Sequence, residues 1–311
     1  MSHDITDLVF SGGGVRGCGY ARIWSVLEEY NLSCQIKRVV GVSAGSIVAG
    51  LIALGLKGDK IECIVRNMNF GNFADNSIGF SLDIYRLITQ FGWNKGDVFL
   101  KWYGDIIASR FGHPDATLQD VYNETGIEFC VLATCLESEE GKMFSYKSDP
   151  NLSFRKAVRM SISIPGFFVP VIHEGCTYVD GGVVNNYPIW YFQEEGCGIE
   201  KTLGFRLVGN PHPVRRITCT TLSTQRSYWQ WVKEKFISPR GGISNIKDYV
   251  SSIVSTMCRT IERSEIREGY WERTVQIDTD ILGSLDFTPP RELVQKVIEN
   301  GEKALRDYLD S

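Results

Sequence analysis

Gly41-Val42-Ser43-Ala44-Gly45 lies between a short apolar run, Val39-Val40, and a helix-like run, Ser46-Ile47-Val48-Ala49-Gly50-Leu51-Ile52-Ala53-Leu54. A G-x-S-x-G between a strand and a helix is the pattern of a nucleophile elbow. Only small residues fit at the flanks of so tight a turn, and the serine Oγ is pushed clear of the backbone. The following helix aims its N-terminal amides and positive dipole end at the same place, where an oxyanion develops during acyl transfer. The competing reading of the five residues is a glycine-rich packing turn, so the flanking strand and helix are what give the motif its weight.

Working outward, short apolar runs alternate with helix-period segments. Leu8-Val9-Phe10 reads as a buried strand that stops at Ser11-Gly12-Gly13-Gly14. Tyr20 to Tyr30 follows as a helix with Ile23, Val26, Leu27 and Tyr30 on one stripe. Ile36 to Val40 is the second strand, and Asp59 opens a helix with Ile61, Ile64, Val65 and Met68 on one face. Residues 70 to 96 carry scattered glycines with Phe70, Phe73, Phe80, Phe91 and Trp93, and read as a loop-rich insertion with a short helix near Leu82 to Gln90. Asp97 to Phe111 is helical, Thr117 caps another helix, and Ile127 to Cys135 is a central strand with Lys142 to Tyr146 beside it. Ser153 opens a helix that ends before Pro165-Gly166. Val169 to Ile172, Thr177 to Val179, Lys201 to Val208 and Arg273 to Ile277 are strands; Tyr187-Pro188, Gln225 to Phe236, Ile246 to Ile266 and Arg291 to Leu309 start or form helices. Such alternation predicts an α/β fold with a mainly parallel sheet. No long linker appears, so a core over 5–205 with a mostly helical part over 206–311 packed on it is expected.

Composition narrows the classes. The 311 residues are 43% hydrophobic, enough for one large core, and the net charge of −4 with dispersed Lys and Arg argues against a nucleic-acid binder. The nine cysteines form no C-x-x-C and several lie in apolar runs, which points to free thiols in a reducing, intracellular setting rather than to a disulfide framework. No ligand spacing suggests zinc, and no metal is expected. The N-terminus shows no signal-peptide pattern, and the longest apolar stretch, Ile47 to Leu56, is far short of the roughly 20 residues of a membrane span.

Two further motifs accompany the elbow. Gly12-Gly13-Gly14-Val15-Arg16-Gly17 follows the first strand and also fits the dinucleotide-binding G-x-G-x-x-G. That reading needs an acidic residue at the end of the second strand, where the elbow stands instead. Consecutive glycines leave backbone N–H groups free to converge on a small anion. Arg16 has three readings: it steadies the loop, meets a lipid phosphate, or simply lies on the surface. Tyr178-Val179-Asp180-Gly181-Gly182 ends a short strand, and Asp180 is able to take the Ser43 proton if the two side chains touch. The histidines offer little: His3 is terminal, His113 precedes a proline, His173 precedes Glu174-Gly175 and His212 lies between prolines. An α/β-hydrolase order Ser43…Asp180…His212 is the rival, but that fold places several strands before its elbow and this chain has room for about two.

Together, Gly12 to Gly17, Gly41 to Gly45 and Asp180-Gly181-Gly182, in that order, resemble the signature of the patatin-like phospholipases. The stretch Lys156 to Phe168 resembles the helix that precedes the aspartate strand in that family. The resemblance runs from about Leu8 to Tyr187. It implies a three-layer α/β/α sandwich, a Ser43–Asp180 dyad and an oxyanion hole from the glycine loop, expected over Gly12, Gly13, Gly14, Val15, Arg16 and Gly17 with Ala44. Gly41, Gly45, Gly181 and Gly182 complete the motifs. It also implies a metal-free reaction, no cofactor, and a lipid substrate met by transient contact with a membrane surface. The aromatic stretch Tyr228 to Phe236 reads as an interfacial helix or as core packing. A non-catalytic lipid-binding scaffold on the same fold is the alternative from another class.

Overall fold

The elements follow from where apolar residues alternate and where they recur with helical period. The computed structural model describes residues 4–68, 70–73, 86–87, 89–194, 196, 198–209, 268–284, 286 and 288–311. Its strands are β1 (Asp7–Phe10), β2 (Arg38–Val42), β3 (Gly92–Asn94), β4 (Glu128–Cys135), β5 (Glu140–Phe144), β6 (Gly166–Phe168), β7 (Val171–His173), β8 (Cys176–Asp180), β9 (Thr202–Val208) and β10 (Thr274–Asp278). Its helices are α1 (Ile23–Glu29), α2 (Ala44–Ala53), α3 (Gly58–Asn67), α4 (Asp97–Phe111), α5 (Leu118–Thr125), α6 (Phe154–Ser161), α7 (Tyr191–Glu194), α8 (Glu268–Trp271) and α9 (Arg291–Leu309), with a 3-10 helix over Gly14–Tyr20.

Among the described residues, eight strands make one mixed, mostly parallel sheet. β10, β9, β1, β2 and β4 run parallel, each paired with the next. β4 also pairs antiparallel with β5 and β8, and β8 with β7. The registers show how β4 accommodates three partners. Val131 and Leu132 face Gly41 and Val42 of β2 on one edge and Phe144 and Met143 of β5 on the other. Ala133, Thr134 and Cys135 still face β5, but their opposite edge carries Asp180, Val179 and Tyr178 of β8. A strand has only two edges, so β2 and β8 share one edge of β4 and meet there C-terminus to C-terminus.

Period-2 alternation sends side chains to two cores. Leu8, Phe10, Val39, Phe129, Val131, Ala133, Leu203 and Phe205 face the larger one, shared with α1, α2, α3, α4, α6 and α9. Val9, Val40 and Cys130 face the smaller one, closed by Tyr187, Ile189, Phe192 and Tyr270. The fold is therefore α/β with a thick helical layer on one face and a thinner cover on the other. β10 and α9, from the C-terminal part, pack on β9 and on the 3-10 helix.

Local signals place many of these boundaries. Thr117 Oγ1 accepts from the Asp120 amide at 3.1 Å while Asp120 accepts from the Thr117 amide at 2.9 Å, the reciprocal cap expected at this site. The start placed at Tyr187-Pro188 is corrected: the helix begins at Tyr191. Tyr187 gives its N–H to Asn185 Oδ1 at 2.8 Å and shares its hydroxyl with Thr274 at 2.9 Å, so it works as an anchor to β10. The insertion contributes β3, which pairs parallel with β6 in a small second sheet absent from the sequence reading. Phe80, most of Leu82 to Gln90, the helices over Gln225–Phe236 and Ile246–Ile266, His3, His212, Arg215-Arg216 and Cys197, Cys219 and Cys258 lie outside the described residues. Among those described, Cys18, Cys34, Cys63, Cys130, Cys135 and Cys176 are unbridged; Cys34 and Cys63 are exposed rather than buried.

β1 and β2 are locked by charge as well as by their ladder. Asp7 is fully buried, and Arg38, its register partner, grips it with Nε at 2.6 Å and Nη2 at 2.5 Å while lying over the Phe192 ring. Removing one member of a buried pair strands the other. Arg38→Met is expected to lower stability by about 3–5 kcal/mol in urea unfolding, and Asp7→Asn combined with it by clearly less.

Candidate active site

Ser43 sits between β2 and α2 with φ 50 and ψ −125, left-handed backbone that a non-glycine residue adopts at a cost of about 1–3 kcal/mol. Its neighbours make the turn possible. A Cβ on Gly45 would lie 2.4 Å from the Phe10 carbonyl oxygen, and one on Gly41 would lie 2.4 Å from the Ser46 Cα. Both glycines are therefore required by close approach of backbone to backbone. The Ser43 carbonyl accepts from the Ser46 amide at 2.9 Å and its hydroxyl at 2.6 Å. The Ser43 amide donates to Ser161 Oγ at 2.9 Å. The strained residue is thus tied down on both sides.

The glycine loop runs past the elbow and turns directly into the 3-10 helix. Gly14 adopts φ +58, and a Cβ there would meet the Ser284 carbonyl oxygen at 2.0 Å. Not all of the loop amides are available to an anion. Gly12 donates to the Asn186 carbonyl at 3.1 Å, Val15 to the Ser284 carbonyl at 3.0 Å and Arg16 to the Gly13 carbonyl at 3.3 Å. Gly17 is buried, and a Cβ on it would meet the Ala44 Cβ at 2.8 Å. The amides of Gly12, Val15 and Arg16 are thus engaged within the fold, and Gly17 packs against Ala44. The amides of Gly13, Gly14 and Ala44 have no partner among the described residues. Arg16 turns its Nε to the Leu282 carbonyl at 2.7 Å and so steadies the loop.

Asp180 ends β8 opposite Ala133. Its amide donates to the Ser163 carbonyl at 2.9 Å, and its carbonyl accepts from Thr134 Oγ1 at 2.9 Å. Its Oδ1 accepts from the Gly182 amide at 2.8 Å. Burial pushes the carboxyl up from 3.8 to about 7, while hydrogen bonds from the Ser43 side chain and the Gly182 amide pull the other way. Gly181 lets the chain leave the strand: a Cβ there would lie 2.3 Å from the Leu132 carbonyl oxygen. The Asp180 loop also latches onto the glycine loop, with Asn186 Nδ2 donating to the Gly12 carbonyl at 3.3 Å.

The structure thus brings Ser43, Asp180, Gly13, Gly14 and Ala44 to one place. His173 lies apart from them in the β7–β8 hairpin, with Lys156 Nζ 3.4 Å from its Nδ1. A narrow apolar cleft opens beside Ser43, lined by Gly14, Ala44, Ile47, Phe73, Phe99, Ile162, Ile164 and Phe168. Among the described residues, Asp180 belongs to no group of three metal-ligating side chains. Three contributors escaped the sequence reading: Ser161, Ser163 and Thr134, which position the Ser43 and Asp180 backbones. The run Arg159-Met160-Ser161-Ile162-Ser163 carried the hint, with two serines where the helix ends. Ser161→Ala is expected to leave the buried Ser43 amide unpaired and to cost about 1–3 kcal/mol in urea unfolding, where Ser161→Thr keeps most of it.

Comparison with known proteins gives the family and a likeness of fold. The family profile described as patatin-like phospholipase matches residues 8–192. An uncharacterized protein, R571 of Acanthamoeba polyphaga mimivirus, is 28% identical over 307 residues, 98% of this chain and 94% of its own length. Lysophospholipase NTE1 of Candida glabrata is 29% identical over 202 residues, which cover 63% of this chain but 10% of that protein. The crystal structure of VipD from Legionella pneumophila superposes with a TM-score of 0.63 at 18% identity, over 99% of this chain and 67% of that one, a likeness of fold. The chain belongs to the patatin-like phospholipase family, whose members are in general serine lipid acyl hydrolases.

Proposed function

We propose that this protein hydrolyses carboxylic esters of phospholipids or related lipids, with Ser43 as nucleophile and Asp180 as its base. The observation that carries the reading is the meeting of β2 and β8 on one edge of β4, which sets a buried carboxyl against a serine in an elbow. Asp180, poised near neutrality, takes the Ser43 proton as Oγ attacks the ester carbonyl. The Gly13, Gly14 and Ala44 amides and the N-terminus of α2 stabilise the oxyanion. Protonated Asp180 returns its proton to the leaving alcohol. Water then attacks the acyl-serine, giving its proton to Asp180, and the fatty acid departs as Ser43 regains a proton. The apolar cleft of Ile47, Phe73, Phe99, Ile162, Ile164 and Phe168 suits an acyl chain.

The same reading treats 5–205 as the catalytic core and 206–311 as a part packed on it, and the substrate as met by transient contact with a membrane surface. Among the described residues no helix is long and apolar enough to cross a membrane. The aromatic stretch Tyr228 to Phe236 lies outside those residues.

The test is release of fatty acid from mixed phospholipid vesicles, and from a soluble short-chain ester, with EDTA present. Ser43→Ala is expected to lower kcat/KM by about 10⁴-fold or more, and Asp180→Asn by a comparable factor. Wild-type activity that survives Asp180→Asn but is lost on replacing His212 would favour the triad. Lipid binding with no hydrolysis of any ester would favour the scaffold.

The pH dependence has a defined sign. A base with its pKa raised to about 7 is protonated and idle below that value, so kcat/KM should climb about tenfold per pH unit up to about 7 and then level off. Stability should move in the opposite direction. The folded state holds the Asp180 proton where the unfolded chain has lost it, so this group's contribution falls as pH rises from about 3.8 to about 7. Asp180→Asn should remove that fall, making the variant more stable than wild type above neutrality in urea titrations.

A further inference from the structure

At the far end of β8 from Asp180, the chain crossing that aligns the two strands assembles a second group of side chains. Cys135 closes β4, Cys176 opens β8, and Glu137 lies in the turn that leads to β5. The Cys135 Sγ, Cys176 Sγ and a Glu137 carboxylate oxygen all lie within 4.8 Å of one another. We propose that these three side chains form a site for a thiophilic divalent cation of the zinc class, with the fourth position open to water.

Distances favour this over a disulfide. Zinc bonds of about 2.3 Å to sulfur and about 2.0 Å to oxygen, set tetrahedrally, put a sulfur and an oxygen ligand about 3.5 Å apart and two sulfurs about 3.8 Å apart. The Cys135 Sγ and Glu137 Oε2 are 3.5 Å apart. Across the ladder, Cys135 stands opposite Tyr178, so Cys176 is its diagonal neighbour, two residues away on the same face. Diagonal partners have Cβ atoms somewhat under about 7–8 Å apart, beyond the roughly 3.5–4.5 Å of a disulfide. An ion spans that gap without moving either strand.

The surroundings also fit a ligand set. Glu137 Oε2 accepts from the Thr177 amide at 2.7 Å, which holds the carboxylate in place as an outer partner does for a metal ligand. The Leu136 amide donates to the Thr177 carbonyl at 2.9 Å, so the turn carrying Glu137 is fastened to β8. Cys135 is buried, Cys176 half-buried and Glu137 exposed, giving the site a closed back and an open entry. Cys135 and Cys176 are far apart in sequence, so ligand spacing along the chain does not reveal the pair. A bound ion here would cross-link β4 to β8, the strand that delivers Asp180, independently of any reading of the reaction.

The experiment is titration of the full-length, reduced protein with Zn²⁺ against a chromophoric chelator, with Co²⁺ as a spectroscopic probe. Wild type should bind one ion at this site, and the cobalt form should show sulfur-to-metal charge-transfer absorption. Cys176→Ser and Cys135→Ser should each lower affinity by more than about 100-fold, beyond the 10–100-fold typical of losing an outer partner. Glu137→Gln, at an exposed position where folding is not in question, should weaken binding while keeping the charge-transfer band. Binding unchanged in Cys176→Ser and Glu137→Gln, or no binding by wild type, would overturn the proposal. So would a Cys135–Cys176 disulfide formed quantitatively under mild oxidation by glutathione disulfide with no ion retained by the reduced form.

Discussion

One edge of β4 carries two strands end to end, and the rest of the molecule is arranged around that fact. β2 holds the edge as far as Leu132 and β8 takes over at Ala133. Because the two strands run toward each other, their last residues abut, and the chain leaving each must turn away at once. β2 turns through the strained Ser43 into α2, and β8 turns through Gly181 against the Leu132 carbonyl. Without glycine at 41, 45 and 181 the backbones would collide. The same collision geometry that demands glycines also forces the Ser43 and Asp180 side chains into one small volume.

That volume is buried, and burial has opposing effects. Ser43 is 6% and Asp180 4% exposed, and removing a carboxyl from water raises its pKa toward neutrality. The fold gives up stability to hold an ionisable group there. The surrounding backbone offsets part of the cost. Gly182 donates to Asp180, Ser161 accepts from Ser43, and Ser163 and Thr134 hold Asp180 by its own amide and carbonyl. The Ser161, Ser163 and Thr134 contacts hold backbone groups and do not depend on the protonation state of the carboxyl, whereas the Gly182 bond favours its charged form.

Buried Arg159 extends this support into the cleft wall. Its guanidinium donates to Ser163 Oγ at 2.5 Å and to the Lys95 and Val169 carbonyls at 2.7 and 2.9 Å, and it stacks on Phe168. It thereby joins α6 to the β3–β6 pair and sets the ring that lines the apolar cleft beside Ser43. Gly96 is needed to admit it, since a Cβ there would lie 2.1 Å from Arg159 Nε. The shape of the cleft thus depends on a charged side chain that is far from Ser43 in sequence and fully enclosed.

Short-range chemistry explains what could be read directly from the chain. Helical period over Ile23 to Tyr30 and Ile61 to Met68, the cap at Thr117 and the apolar runs of β1 and β4 are all signals within a few residues of their effect. The elbow and the glycine loop are likewise local turns with glycine at fixed offsets, and the three motifs in order carried the family. What depends on closure of the sheet was not legible. The pairing of β3 with β6, the anchoring of Tyr187 on β10 and the diagonal approach of Cys135 to Cys176 each join distant segments. The loop Gly12 to Gly17 shows the division most clearly. By itself the sequence determined that a glycine-rich turn would face Ser43. Only tertiary structure decided which amides find a backbone partner, because the Gly12 and Val15 amides are taken by carbonyls of Asn186 and Ser284, more than half the chain away.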